Sequence, residues 1–409
     1  MKHRFVSAAL LPLVLFFSNF MWGAATESVL YTFTSGADGG NPYAGPILDS
    51  KGNLYGTTVY GGAYNYGAVF ELSPGANGQW TETVLHSFNF DGKDGIRPYS
   101  SLVMDASGNL YGTTNIGGAS NLGTVFRLQP NSDGTWTETV LYSFMGDGID
   151  GTGPYANLVL DKLGNLYGTT YGGGDLGEGT VFEVSPEAND TWQEKVIFFF
   201  DYTNGAAPYA GLVADSRGIF YGTTEYGGAF EHGVVFALKR GKGGTWVESV
   251  LHQFNPATGD GFEPYAGLVI DSSNHLYGTT LYGGSGGSGT IFEVVQIQGK
   301  WREQVIHSFS LTNDGINPYG PLALDSAGNL YGTTWQSIVN NIGGAGIVFE
   351  LSPVSRTVWQ ESILHSFETA NDGGNPYSGV AVDSAGEVFG TTYYGGLFPG
   401  TGVVFEVIP

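Results

Sequence analysis

Leu54-Tyr55-Gly56-Thr57-Thr58 decides the fold, because the chain keeps returning to it. Tyr-Gly-Thr-Thr recurs at Tyr111, Tyr167, Tyr221, Tyr277 and Tyr331, and a seventh copy opens with Phe389. The copies are spaced by 54 to 58 residues. A period of that length marks an array of like supersecondary units, none of which can bury its apolar faces alone.

Working outward from Tyr55, the first unit reads as four strands. Pro42-Tyr43-Ala44-Gly45-Pro46-Ile47-Leu48-Asp49 gives a short, buried strand a, whose small residues suit close packing about an axis. A starting Pro removes no needed ladder donor. Asp49-Ser50-Lys51-Gly52 is a hairpin turn, with Asp accepting from nearby N–H groups and Gly free to take positive φ. Leu54 to Thr58 is strand b, rich in aromatic and β-branched residues. After the Gly-rich stretch from Tyr60 to Gly67 comes strand c, Ala68 to Leu72. Strand d runs from Trp80 to Phe88 and partly alternates, as a strand with one wetter face does.

Four antiparallel strands repeated seven times predict an all-β, seven-bladed β-propeller over residues 26–409. The two ends of the array agree. Glu27-Ser28-Val29-Leu30-Tyr31-Thr32-Phe33 matches strand d, while Gly402 to Pro409 matches strand c. The first strand therefore completes the last unit and closes the ring, which leaves no unpaired inner edge. Residues 1–25 read as a signal peptide: Lys2 and Arg4 are basic, Phe5 to Phe17 is apolar, and Gly23-Ala24-Ala25 offers small residues for cleavage. A secreted protein, extracellular or periplasmic, with no membrane span after cleavage is expected, and it is expected to be a monomer.

Composition narrows the partners. Fifteen Lys and Arg stand against 38 Asp and Glu, for a formal net charge of −23. Nucleic acid and anionic membrane surfaces both need a basic patch, so neither is a partner. The chain has no Cys, which excludes disulfides, Cys-ligated zinc and thiol catalysis.

The segments Gly52 to Thr58, Gly164 to Thr170 and Gly328 to Thr334, with Gly123 to Phe126 and Gly179 to Phe182, resemble the GloVer tandem repeat of exported bacterial proteins. The resemblance covers essentially all of residues 27–409. It implies export and carries no biochemical role.

Features shared by every unit serve the fold. Asp49, Asp105, Asp161, Asp215, Asp271, Asp325 and Asp383 are turn caps by this reasoning. His86, His252, His307 and His365 share one strand-d position with Tyr31, Tyr142 and Phe198, so that position wants a flat ring and not a catalyst. No catalytic residue, nucleophile elbow, phosphate loop or zinc motif is present, and no cofactor is required. The d–a loops are acidic, and Asp91 with Asp94 and Asp147 with Asp150 are the nearest local pairs that could offer oxygens to calcium.

The b–c loops differ most between units, and with the d–a loops they emerge on one face. There Tyr64, Tyr66, Tyr226, Phe230, Trp335, Tyr394 and Phe398 interrupt the repeat. Rings beside Asp, Asn and Gly suit stacking on a neutral glycan or gripping a protein ligand. The sequence therefore predicts a binding module with an aromatic platform at the channel mouth. The alternatives are a carbohydrate-active hydrolase or lyase using loop carboxylates, or an interaction component of the cell envelope.

Overall fold

The computed structural model describes residues 25–312, 314–339, 342–368, 371–397 and 400–409. The predicted signal peptide, Ala25 apart, and Phe398 lie outside the described residues. No helix among the described residues is long and apolar enough to cross a membrane.

The first unit folds as a four-stranded antiparallel sheet in the order a-b-c-d: Ile47–Leu48, Leu54–Thr58, Ala68–Pro74 and Trp80–Ser87. Seven such sheets are present among the described residues, which makes the fold all-β and propeller-like. The seventh takes Ala381–Val382, Val388–Thr392 and Val403–Ile408 from one end of the chain and Thr26–Thr32 from the other. Thr26 pairs with Ile408 and Thr32 with Val403, as the two ends of the repeat predicted.

The a strands differ from expectation in one respect. Each is two residues long and half-buried, where the sequence suggested a buried strand. The reason is geometric, since these strands border an axial cavity and have neighbouring sheets only on their flanks.

The Tyr-Gly-Thr-Thr motif is a set of bonds between neighbouring sheets. The first Thr of each copy donates its hydroxyl to a carbonyl of the next unit. Thr57 bonds Ser100 at 3.0 Å, Thr113 bonds Ala156 at 3.1 Å, Thr169 bonds Ala210 at 2.8 Å and Thr223 bonds Ala266 at 2.9 Å. Thr279 reaches Pro318 at 3.2 Å, Thr333 reaches Ser378 at 2.6 Å, and Thr391 returns to Ala44 at 3.0 Å. The last link joins the seventh sheet to the first. All seven hydroxyls are buried, so each lost bond would strand a carbonyl. Gly has its own reason: a Cβ on Gly56 would lie 2.5 Å from Cζ of Phe70, whose ring covers it.

The apolar core follows the same pattern. It is divided into seven clusters, each between two neighbouring sheets. Phe88 from the end of one d strand meets Phe126 of the next c strand edge-on at 5.2 Å. Phe33 meets Phe70 in the same way at 5.1 Å, joining the seventh sheet to the first. The Trp residues that open the d strands pack onto the motif Tyr of the preceding sheet, as Trp136 does on Tyr55 and Trp192 on Tyr111. A fully buried Phe contributes about 2–3 kcal/mol, so inter-sheet burial dominates stability.

Candidate functional site

The Pro-Tyr that opens each unit places seven tyrosines around the axis. Neighbouring rings touch all the way round. Tyr43 and Tyr99 have centroids 4.9 Å apart, and Tyr99–Tyr155, Tyr155–Tyr209 and Tyr209–Tyr265 follow at 5.4, 4.9 and 4.4 Å. Tyr265–Tyr319, Tyr319–Tyr377 and Tyr377–Tyr43 complete the circle at 5.4, 5.2 and 4.9 Å. The circle is collapsed across its middle, where the Tyr43 and Tyr265 hydroxyls bond at 3.1 Å. Burial pushes both phenols far above their ordinary range. These tyrosines, with the small residues that follow them, line an axial cavity of about 160 Å3. The tyrosines therefore plug one end of the axis. Sequence reasoning missed them, because a residue present in every unit was read as scaffold.

Small residues below the plug let the a strands approach. A Cβ on Gly45 would lie 2.4 Å from the Gly379 carbonyl oxygen, and one on Gly211 would lie 2.4 Å from Oδ1 of Asn157.

Above the plug stands the residue that follows Thr-Thr. Its identity changes around the ring: Val59, Asn115, Tyr171, Glu225, Leu281, Trp335 and Tyr393. Three of these rest on the plug, each between two of its rings. Trp335 lies 6.0 Å from both Tyr319 and Tyr377. Tyr171 lies 4.5 Å from Tyr209 and 6.1 Å from Tyr155. Tyr393 lies 5.4 Å from Tyr377 and 6.2 Å from Tyr43. Nε1 of Trp335 is buried without a protein partner. Glu225 is buried in the same tier, and burial holds its carboxyl up at about 7, with the neighbouring Tyr226 opposing the effect and Glu263 adding to it.

The backbone that carries this tier is fixed by the residue before each Pro. It has positive φ in all seven units, from Ala207 at 53° to Gly153 at 63°. Asn is tolerant there, and its amide braces the neighbouring loop: Asn375 bonds the Trp335 carbonyl at 2.9 Å, and Asn41 bonds that of Tyr393 at 2.9 Å. Arg97 and Glu263 occupy the same position without that side-chain brace. The Arg97 guanidinium instead lies 5.7 Å from the Tyr60 ring centroid.

The sequence-predicted ligand residues divide into two groups. Among the described residues, Trp335 alone of them has a ring contact with the plug, and Tyr394 reaches it through Tyr393 at 4.7 Å. Tyr64 and Tyr66 lie farther out, in a shallow cleft shared with Asn89 and Phe90. Phe230 is exposed in the fourth b–c loop. The remodelled sixth loop is a hairpin, with Gln336–Val339 pairing both Asp314–Ile316 and Ile342–Gly344. Equivalent d–a and b–c loops pair elsewhere, for example Gly95–Ile96 with Ile116–Gly117, so both loop sets do share one face.

The four candidate calcium ligands face two ways. Asp91 and Asp147 are exposed, and each caps its own loop by accepting from two following N–H groups. Asp94 and Asp150 are buried between sheets, where their Oδ2 atoms accept from His86 Nε2 at 3.1 Å and the Tyr142 hydroxyl at 2.9 Å. The seven turn-cap Asp residues behave as predicted: Oδ1 of Asp49 accepts from the N–H groups of Lys51 and Asn53.

The chain belongs to the Gloeobacter/Verrucomicrobia repeat family, whose profile matches residues 18–193 and 188–405. No curated protein matches it. Among solved structures it is similar to a candidate 6-phosphogluconolactonase from Bacteroides uniformis, at 14% identity and a TM-score of 0.53, covering 83% of this chain and 88% of that one. It is also similar to an ancestral GH74 enzyme, at 12% identity and a TM-score of 0.56, covering 90% of this chain and 48% of that one. At these identities the likeness is one of fold.

Proposed function

We propose that this chain is a closed seven-bladed β-propeller acting as an exported binding module, and that it takes a glycan or protein ligand on the face above the tyrosine plug. The observation that carries the reading is the mouth tier, where Tyr171, Trp335 and Tyr393 rest on a rigid aromatic floor. A ring held from below offers its remaining surface at little entropic cost, which is how aromatic residues become binding anchors. The exposed apolar side chains support it. Tyr64, Phe90, Met145, Leu176, Phe230 and Leu397 all project from d–a or b–c loops. Closure of the ring is supported by the Thr391 to Ala44 bond and the pairing of Thr26–Thr32 with Val403–Ile408.

A second reading, a carbohydrate-active hydrolase, rests on Glu225. A carboxyl held near 7 beside a second carboxyl, Glu263, has the protonation behaviour that a general acid needs.

A glycan array probed with the purified protein and with Trp335→Ala tests the first reading. Binding by the parent that the variant loses supports it. Equal binding by both would remove Trp335 from the site. Release of reducing ends from a bound glycan, abolished in Glu225→Gln, would establish the second reading.

A further inference from the structure

Three clefts between neighbouring d strands bring together the same trio of side chains. His86 comes from the d strand of one sheet, Glu138 from the d strand of the next, and Asp94 from the d–a loop between the two units. His252, Asp260 and Glu303 repeat the arrangement, and so do His307, Asp314 and Glu361. In each trio a nitrogen of the His and one oxygen of each carboxyl group lie within 4.8 Å of one another. His307 Nε2 is 3.5 Å from Asp314 Oδ2 and 3.8 Å from Glu361 Oε1. Zinc–ligand bonds of about 2.0–2.2 Å at tetrahedral angles put ligand atoms about 3.3–3.6 Å apart, so this trio needs little adjustment to close on an ion.

The trios also carry unspent coordinating atoms. Asp94, Asp260 and Asp314 are all more than nine-tenths buried. Oδ1 of Asp94 and of Asp260 has no hydrogen-bond partner, and neither has Oε1 of Glu138 or Glu303. In the third trio the buried atoms without a partner are His307 Nε2 and Glu361 Oε1. Each cleft thus holds two buried coordinating atoms that the protein itself does not satisfy, a costly state unless another group supplies the bond. No Lys or Arg acts on the Glu138, Glu303 or Glu361 carboxyl, and the neighbour that opposes its burial is the cleft His. A protonated ring brings one charge to two carboxylates. A divalent cation brings two, and a neutral ring can then join both carboxylates as a ligand.

Unpaired Glu alone does not define the clefts. Glu82 and Glu248 have the same unpaired Oε1 where Tyr31 and Phe198 take the place of His. Burial of the strand-d Glu is therefore a property of the repeat. The convergence of His, Asp and Glu is what sets the three clefts apart.

Two of the three groups are held in place independently of any ion. Oδ2 of Asp94, Asp260 and Asp314 accepts a backbone N–H of its own loop, from Asn89, Asn255 and Ser310 at 3.0, 3.2 and 3.1 Å. The His rings pack edge-on against Phe88, Phe254 and Phe309 at 4.8, 4.8 and 4.6 Å. Contacts of this kind orient ligands before an ion arrives. In the first two trios the His also bonds the Asp Oδ2, at 3.1 and 2.8 Å, a contact that the ion replaces. About a fifth of each His side chain is exposed, which leaves an entry path and room for water as a further ligand.

We propose that these three clefts are metal sites, each taking one first-row divalent cation of the zinc type through His Nε2, one Asp oxygen and one Glu oxygen. One nitrogen and two oxygens suit such an ion better than calcium, which takes about six to eight oxygens. Each ion ties two neighbouring sheets together, in a chain that has no Cys to cross-link them. His365, Asp372 and Glu27 repeat the residue types without converging within the same spacing, so three ions per chain are expected.

Two other units show how to remove a site without disturbing the packing. Tyr142 and Phe198 stand at the His position and keep the edge-on contact, with Phe144 and Phe200 at 5.2 Å. Chelator-stripped protein dialysed against micromolar zinc should retain three ions per chain by elemental analysis. His307→Phe should retain two, and the triple variant His86→Phe, His252→Phe, His307→Phe none. Cobalt in place of zinc should give visible d–d absorption that falls in the same steps. Zinc should raise the melting temperature of the parent by several degrees and leave that of the triple variant unmoved. If the triple variant does not fold, Glu138→Gln with Glu303→Gln and Glu361→Gln is read in the same way. A parent that retains no zinc would overturn the proposal. So would a triple variant that retains as much zinc as the parent, since the ions would then lie elsewhere. Calcium held equally by parent and triple variant, in place of zinc, would also overturn it, because carboxylates alone would be the ligands.

Discussion

Thr57 and Val59 are two residues apart, and they sit in regions governed by different rules. The position of Thr57 is Thr in all seven units, and in each it bonds the next sheet. The position of Val59 takes six residue types in seven units and lies over the tyrosine plug. Where the protein itself is the partner, the residue cannot vary, because every sheet presents the same carbonyl. At the second position the surroundings differ from unit to unit, with Val59, Glu225 and Leu281 buried and Tyr171 exposed, so each unit is free to differ. The repeat thus acts as its own control, separating structural residues from candidate binding residues within one chain.

Five changes test that separation, and the largest effect belongs to the scaffold. Removing Thr26–Thr32 would strip the outer strand from the seventh sheet and expose the edge of Val403–Ile408. Aggregation or a broad early melt is expected, read by size-exclusion chromatography and calorimetry. A truncated chain that stays monomeric with the parent melt would break the ring-closure argument.

Gly222→Ala comes next. Its Cβ would lie 2.6 Å from Cζ of Phe236, so overpacking should cost about 1–3 kcal/mol in urea unfolding. Thr223→Val, which removes the bond to Ala266, should cost about 1–3 kcal/mol by stranding a buried carbonyl.

Trp335→Ala probes the other side of the comparison. The ring is half-buried and rests on the plug, so the stability cost should fall below the roughly 3–5 kcal/mol of a core Trp. Loss of affinity should be the larger effect, about tenfold or more for a bound glycan or protein. A full core-sized loss of stability with unchanged affinity would move Trp335 into the scaffold class.

The smallest effect expected is that of Glu225→Gln. Burial raises this carboxyl to about 7, so the wild-type residue stabilises below its unfolded value and loses that contribution as pH rises past 7. The variant should match the parent in melting at pH 5 and exceed it slightly at pH 8.5. An identical pH profile for both would mean that Glu225 is better solvated than its burial indicates.

The fold was legible because its cause is periodic. Tyr-Gly-Thr-Thr, the Asp49-type turn and the d-strand Trp each recur in register, so strands and their order could be read by counting. The site was legible only in part. Trp335 was found because it breaks the pattern. The Tyr43-type plug was not, because its residues obey the pattern and their shared contact exists only once seven distant segments converge. The approach of Glu138 to Asp94 escaped for a related reason: the two lie in different units, and only Asp94 carries a local signal. Asp91 and Asp94 are close in sequence and looked like one ligand set, yet one faces water and the other the cleft. Sequence distance misleads in both directions when contacts form between units.

The pairing of Thr26 with Ile408 carries a consequence for the order of events in folding. Thr26–Thr32, made early, can find its place only after Val403–Ile408 has been made. Until then six sheets can form while the seventh lacks its outer member, and the nascent chain carries an open edge. Closing a loop of that length costs on the order of 5 kcal/mol in chain entropy if the ends meet unaided. Prior stacking of the intermediate units would bring them together and remove most of that cost. The slow step in refolding should therefore be the final docking of the N-terminal strand, after the bulk of the β-structure has appeared.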